Sequence, residues 1–160
     1  MPSANNTRKV GIGDEFKMIF EKSCGAIVLR HAPDKDGRMQ RYVLMIKHSQ
    51  ASNHSFPKGH VEKGETEIET AVREVLEETG VSIKITSDFR HPVYYKPRPG
   101  AKKEVVYFLA LTEQVETTPR EGEVVHVEWV EVDRATRLLA HENDRRVLSH
   151  AIDHFNKKGV

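Results

Sequence analysis

Apolar residues recur along this chain with two different periods, and the changes of period mark its elements. Residues 24–29 (CGAIVL) and 42–46 (YVLMI) are short continuous apolar runs, the pattern of strands covered on both faces. Between them, Pro33, Asp34, Asp36 and Gly37 predict a hairpin turn. The Asp34-Lys35-Asp36-Gly37 run begins like a calcium loop but lacks the glutamate that closes one, so it reads as a turn. Residues 16–20 and 81–85 alternate as short strands, and residues 104–111 (EVVYFLAL) form the strongest strand, expected at the centre of a sheet. Residues 123–132 read as a strand with Val125, Val127 and Trp129 on one face.

Helical spacing appears after residue 66. Thr66 with Glu69 forms a capping box, placing a helix start near Glu67, and Gly80 suits the left-handed position just past its end. Ile68, Val72, Val75, Leu76 and Thr79 fall on one stripe, which should face a core. A polar turn at Asp133 leads into a short helix ending near Ala140. Residues 144–157 then make an amphipathic helix with Val147, Leu148, Ala151, Ile152 and Phe155 inward. His150 and His154 stand one turn apart on it, but no third zinc ligand follows, so they read as a solvated face.

Composition changes this picture little. At 160 residues the chain is expected to be one domain, residues 16–158, behind a flexible polar tail, residues 1–15. The net charge of +1 gives no global reason to expect a nucleic-acid partner or a membrane surface. No apolar run approaches the roughly 20 residues of a membrane span. The tail lacks a secretory apolar segment, and a single cysteine, Cys24, excludes an internal disulfide; a reducing cytoplasmic setting fits both.

Charge matters locally. Residues 59–81 (GHVEKGETEIETAVREVLEETGV) hold seven glutamates against two basic residues, a local charge of −5. Glu74, Glu77 and Glu78 share one arc of the predicted helix, where like charges repel by a few tenths of a kcal/mol per pair. An acidic solvated face is one reading of such a helix. The other is a hard divalent cation, which takes clustered carboxylate oxygens and binds phosphates as well.

The spacing decides between them. Gly59, then Glu65, then Arg73-Glu74-Val75-Leu76-Glu77-Glu78-Thr79-Gly80-Val81 is the complete Nudix box, and the chain resembles a Nudix hydrolase. The Phe56-Pro57-Lys58-Gly59-His60 run ahead of it is similar to that of the asymmetric diadenosine tetraphosphate hydrolases. His54 and Phe56 depart from the residues usual there. The resemblance implies an α/β/α sandwich around a mixed sheet. It implies metal ligation by Glu74, Glu77, Glu78 and the Gly59 or Lys58 carbonyl, with Mg²⁺ (or Mn²⁺) as cofactor. It makes Glu74 the first candidate for general base and Glu123, six residues before Trp129, the second and a further metal ligand, with Glu121 behind it. Glu65 and Arg73 are expected to pair or to orient the ligand carboxylates.

Residues 90–103 (RHPVYYKPRPGAKK) carry five basic residues and no acid, and their prolines and glycine predict a loop. Such a segment holds polyphosphate on lysines and stacks a base on tyrosine. The resemblance picks Tyr95 and Lys103 as nucleotide contacts, with Tyr94 the alternative, and Lys58 and His60 flanking the box glycine as phosphate contacts. The expected partner is a small nucleotide, with cleavage of diadenosine tetraphosphate to ATP and AMP. The alternatives are another Nudix substrate (a nucleoside triphosphate, ADP-ribose, capped RNA or an inositol pyrophosphate) and a non-catalytic nucleotide-sensing module.

Overall fold

The computed structural model describes residues 6–9, 17–49 and 53–158. Within them the chain runs β1 (Asn6–Lys9), β2 (Lys17–Pro33), β3 (Met39–His48), β4 (Lys58–His60), α1 (Glu67–Thr79), β5 (Arg90–Tyr95), β6 (Ala101–Leu111), β7 (Val124–Glu131), α2 (Val132–Leu138) and α3 (Glu142–Lys158). The strands form one mixed sheet in the order β5-β6-β2-β3-β7, with β1 and β4 also paired to β2. The β2–β6 pair is parallel, and the other pairs are antiparallel.

β2 organises the sheet. One of its edges is taken by β6 along residues 19–29; the other is shared in turn by β1, β4 and β3. Beyond the Leu29–Val43 pair, β2 and β3 therefore diverge, and β4 wedges into the opening. Gly25 makes that possible: a Cβ there would lie 2.2 Å from the Pro57 carbonyl oxygen and 2.6 Å from the Lys58 Cβ.

Helices cover both faces. α3 lays Val147, Leu148 and Ala151 on Ile27, Leu29, Val105, Tyr107 and Leu109, with α2 adding Ala135. α1 lays Val75 and Ala71 on the opposite face, over Ala26, Val28, Leu44, Val106 and Phe108. This is the expected α/β/α sandwich, and the runs at 24–29 and 43–46 are buried throughout because both faces are covered.

Local structure departs from the sequence reading in several places, each for a physical reason. Residues 6–9 of the expected tail form a strand on residues 17–20 of β2; residues 1–5 and 10–16, including Phe16, lie outside those described. Residues 81–85 alternate in burial, with Val81 and Ile83 in the core, yet form no strand, because no neighbouring ladder pairs with them. The basic segment 90–103 is a loop only at residues 96–100: residues 90–95 are β5 and residues 101–103 begin β6. Pro92 is tolerated because β5 is the edge strand, where a missing N–H costs no ladder bond. β6 lies one strand in from that edge, and β2, not β6, is the middle strand. The Val125 side chain lies outside the described residues, whereas Val127 and Trp129 pack against the α1-side core. The Asp34 turn forms as read, its carboxylate accepting from the Asp36 and Arg38 amides.

Candidate active site

The site is built where α1 crosses the wedge made by β4. The helix starts and stops as its sequence dictates: Thr66 and Glu69 exchange side-chain to backbone hydrogen bonds, and Gly80 takes φ 72°. Its rotation is not the one the apolar stripe predicts. Thr70, Ala71, Glu74, Val75, Glu78 and Thr79 are buried, while Ile68 and Leu76 remain 44% and 50% exposed. At 100° per residue the buried arc is turned by roughly a quarter circle from the aliphatic one. Two glutamates take core-facing positions that two aliphatic residues give up.

Each buried carboxylate is met by the backbone of β4. Glu78, 3% exposed, accepts the Lys58 amide N–H at 2.7 Å, and His48 Nε2 lies 3.5 Å from its other oxygen. Glu74 lies directly against Gly59, where a Cβ would stand 2.0 Å from the carboxyl carbon. The box glycine is thus needed for the close approach of a carboxylate. Burial raises the pKa of Glu74 against the pull of Arg73, and burial pushes that of Glu78 up to about 7, with the Glu74 charge adding to it.

Arg73 ties the rest together. It grips Glu65 with two bonds, Nε at 2.6 Å and Nη2 at 2.9 Å, and donates to Glu74 at 2.8 Å, Glu77 at 3.2 Å and the His60 carbonyl at 3.0 Å. The fork holds Glu65 ionised, its pKa lowered to about 2. The expected Glu65–Arg73 pair is therefore present.

Glu77 is half-exposed and shared between Arg73 and Arg120, and Arg120 in turn lies 3.5 Å from Glu123. Glu123 stands exposed at the border of the same cluster; Glu121 is exposed and makes no contact with it among those found for the described residues. Arg120 was not singled out from sequence. The available signal was its isolation, as the only lysine or arginine in residues 112–125.

Two cavities are lined by residues of β4 or just after it, and neither is lined by Glu74, Glu77 or Glu78. One, about 460 Å³, is lined by Tyr95, Lys58, Val93, Val105, Tyr107 and Asp144, among others. The second, about 600 Å³, is bordered by Tyr94, Lys63, Lys102 and Lys103. Consecutive tyrosines of β5 thus serve different cavities, as strand alternation requires. Lys103 stands opposite Tyr95 in register, so their side chains share a face, although the cavity Lys103 borders is the second one. Burial and the neighbouring Lys58 charge lower the Lys103 ammonium to about 8. His60 is exposed, and its carbonyl, not its ring, enters the network.

The carboxylate and carbonyl oxygens of the cluster are the set that a hard divalent cation takes. Among the described residues no three acidic or imidazole groups are gathered around one point. Glu77 is engaged by Arg73 and Arg120, whereas Glu78 is held by the Lys58 amide. Two adjacent buried carboxylates with raised pKa values still leave a demand for positive charge, so the residues fit such a cation in chemistry.

Comparison with known proteins agrees with this geometry. The NUDIX domain model matches residues 25–151. The chain is 30% identical over 133 residues to the asymmetrical bis(5'-nucleosyl)-tetraphosphatase of Rattus norvegicus, covering 79% of this chain and 90% of that one. It is 28% identical over 145 residues to the putative mutator protein MutT4 of Mycobacterium tuberculosis, covering 89% of this chain and 58% of that one. A crystal structure of a C. elegans Ap4A hydrolase binary complex superposes with TM-score 0.71 at 23% identity, over 85% of this chain and 97% of that chain. Members of the family use divalent cations such as Mg²⁺. With Glu74 and Glu78 facing inward over a split sheet, and one family model running from β2 into α3, the chain belongs to the Nudix family and is a pyrophosphohydrolase.

Proposed function

We propose that this chain cleaves a dinucleoside tetraphosphate asymmetrically with Mg²⁺, releasing ATP and AMP when the substrate is diadenosine tetraphosphate. One observation carries the reading: the Glu74–Glu78 pair is held on the backbone of Lys58 and Gly59, and the Lys58 side chain lines a cavity walled by Tyr95. Reacting phosphate and nucleoside are then held by adjacent parts of one β4 segment. The similarity to an asymmetrical tetraphosphatase along most of both chains supports the same substrate class.

Glu78, Glu74, Glu77 and the Gly59 or Lys58 carbonyl would hold the ion. When bound, the ion supplies Lewis acidity that offsets phosphate charge and acidifies water. In this reading Glu74, whose pKa burial raises, takes the proton of the attacking water, and Glu123 is the second candidate. The water oxygen bonds to one phosphorus as the bridging oxygen departs with the other nucleotide. Arg73 keeps Glu74 aimed, and its grip on Glu65 fixes the guanidinium itself. Lys58 and Lys103 hold the polyphosphate as point charges, and Tyr95 stacks on a base.

Hydrolysis of diadenosine tetraphosphate in ¹⁸O-water tests this. ATP and AMP, with label in one of them, are expected; two ADP would contradict asymmetric cleavage. A panel containing nucleoside triphosphates, ADP-ribose, capped RNA and inositol pyrophosphates separates the other Nudix chemistries.

Lys103 gives the reaction a pH dependence. Its folded pKa, about 8, lies below the ordinary 10.5, so its charge disappears as pH rises through 8. kcat/KM for the polyphosphate should fall above that pH, because this ratio reports the free enzyme. The folded state binds fewer protons than the unfolded chain between about 8 and 10.5, so this group raises stability with pH in that window. Lys103→Met should therefore flatten the alkaline limb, raise KM about tenfold and increase thermal stability at pH 7, where the half-buried charge is an uncompensated cost.

A further inference from the structure

The cavity that holds Tyr95 and Lys58 has an acidic end that the reaction does not use. Asp144, in the first turn of α3, lines it beside Asn143. Acids in a helical first turn ordinarily face solvent or cap the helix. Here the residue is partly buried, and among the described residues no hydrogen bond or ion pair to its carboxylate is found. Arg145, the adjacent cation, donates to the Leu139 carbonyl instead. Burial raises the Asp144 pKa against the pull of the His141, Lys58 and Arg145 charges, and the phenols of Tyr95 and Tyr107 are raised by burial first and by the Asp144 charge second, which places the carboxylate near the aromatic walls. The cavity thus has an ammonium, Lys58, aromatic sides, and an acceptor group that feels the His141, Lys58 and Arg145 charges but receives no hydrogen bond among the described residues.

Resting on the assignment of this cavity to a nucleoside, we propose that Asp144 reads the base and makes the site prefer guanine over adenine. A carboxylate accepts two parallel hydrogen bonds, and guanine offers two adjacent donors, N1–H and the N2 amino group. The Asn143 amide beside it supplies a donor for guanine O6. Adenine presents one donor, N6–H, next to the bare N1 lone pair, so half of the carboxylate would face an acceptor. Desolvated polar groups left without partners discriminate more strongly than apolar contacts do. Lys58, in the same cavity, holds the phosphate end in this reading, so a change of base does not reverse the ligand.

Calorimetric titration of the full chain with GMP and with AMP at pH 7.5 reads the preference without requiring turnover. GMP should bind at least about tenfold more tightly, the discrimination of one bidentate pair. Asp144→Asn keeps the shape but replaces one acceptor with a donor, matching adenine N1 and N6; its preference should invert. Asp144→Ala should bind both nucleotides alike, which guards against a poorly folded amide variant. Equal affinities in the wild type, tighter AMP binding, no binding of either nucleotide at millimolar concentration, or a guanine preference that survives Asp144→Asn would each overturn the assignment. Hydrolysis of the diguanosine and diadenosine tetraphosphates is then compared. If neither is cleaved while the GMP preference holds, the proposed reaction fails and the reading of Asp144 stands.

Discussion

Glu78→Gln should abolish hydrolysis and at the same time make the metal-free protein more stable at pH 8. Gln keeps an oxygen for the Lys58 amide, so the 2.7 Å bond survives the change. What is removed is the charge. The folded pKa of Glu78, about 7, lies above the ordinary 4.5, so the folded state holds its proton more tightly than the unfolded chain does. Its contribution to stability is fully present below 4.5 and is lost as pH rises through 7. At pH 8 the wild type carries a desolvated carboxylate whose cost is on the order of 2 kcal/mol. Melting of the variant should therefore lie a few degrees higher at pH 8 and near the wild type at pH 5. Loss of a carboxylate that would hold the ion should lower kcat by about 10³-fold or more. A variant that still turns over, or that melts earlier at pH 8, would remove Glu78 from this role.

Gly59→Ala should separate activity from stability in a different way. The added methyl would stand 2.0 Å from the Glu74 carboxyl carbon and 2.3 Å from each of its oxygens, so one of the two groups must move. The far end of a glutamate side chain moves more easily than the β4 backbone, which is paired to β2. The cost in stability should stay below about 2 kcal/mol, in the range of modest overpacking. The carboxylate, however, is displaced by about an ångström or more, and misplacement on that scale costs about 10²-fold in rate. Thermal melting and kcat, measured on the same preparation, check both numbers. Wild-type turnover would mean that Glu74 is not positioned by this contact.

Both variants draw on the feature that sequence periodicity did not reveal. The limits of α1 were legible, because a capping box and a left-handed glycine are local devices with local chemistry. Its rotation was not. Ile68, Val72, Val75, Leu76 and Thr79 describe the apolar stripe correctly, but the helix is turned to bury Glu74 and Glu78, and Leu76 is left half exposed. Tertiary contacts to β4 outweigh the stripe, and an ordinary hydrophobic reading assigns glutamates to solvent. The box spacing carries that information where periodicity cannot.

Burial and ladder formation also part company at residues 81–85, where alternation marks Val81 and Ile83 as core without supplying a strand to pair with. At β5, Pro92 reads as loop-forming because edge position is a property of the sheet and not of the segment. Arg120 and Asp144 are invisible in a different sense: each is an ordinary charged residue until the fold sets it beside Glu77 or in a cavity with Tyr95.

The central claim is that the Glu74–Glu78 pair, buried on the β4 backbone, is held ready for a divalent cation. Calorimetric titration of Mn²⁺ into the full wild-type chain and into Glu78→Gln at pH 7.5 tests it most directly. Saturable binding by the wild type, weakened at least about tenfold in the variant, is the predicted result. Equal binding by both proteins, or none by the wild type, would contradict it.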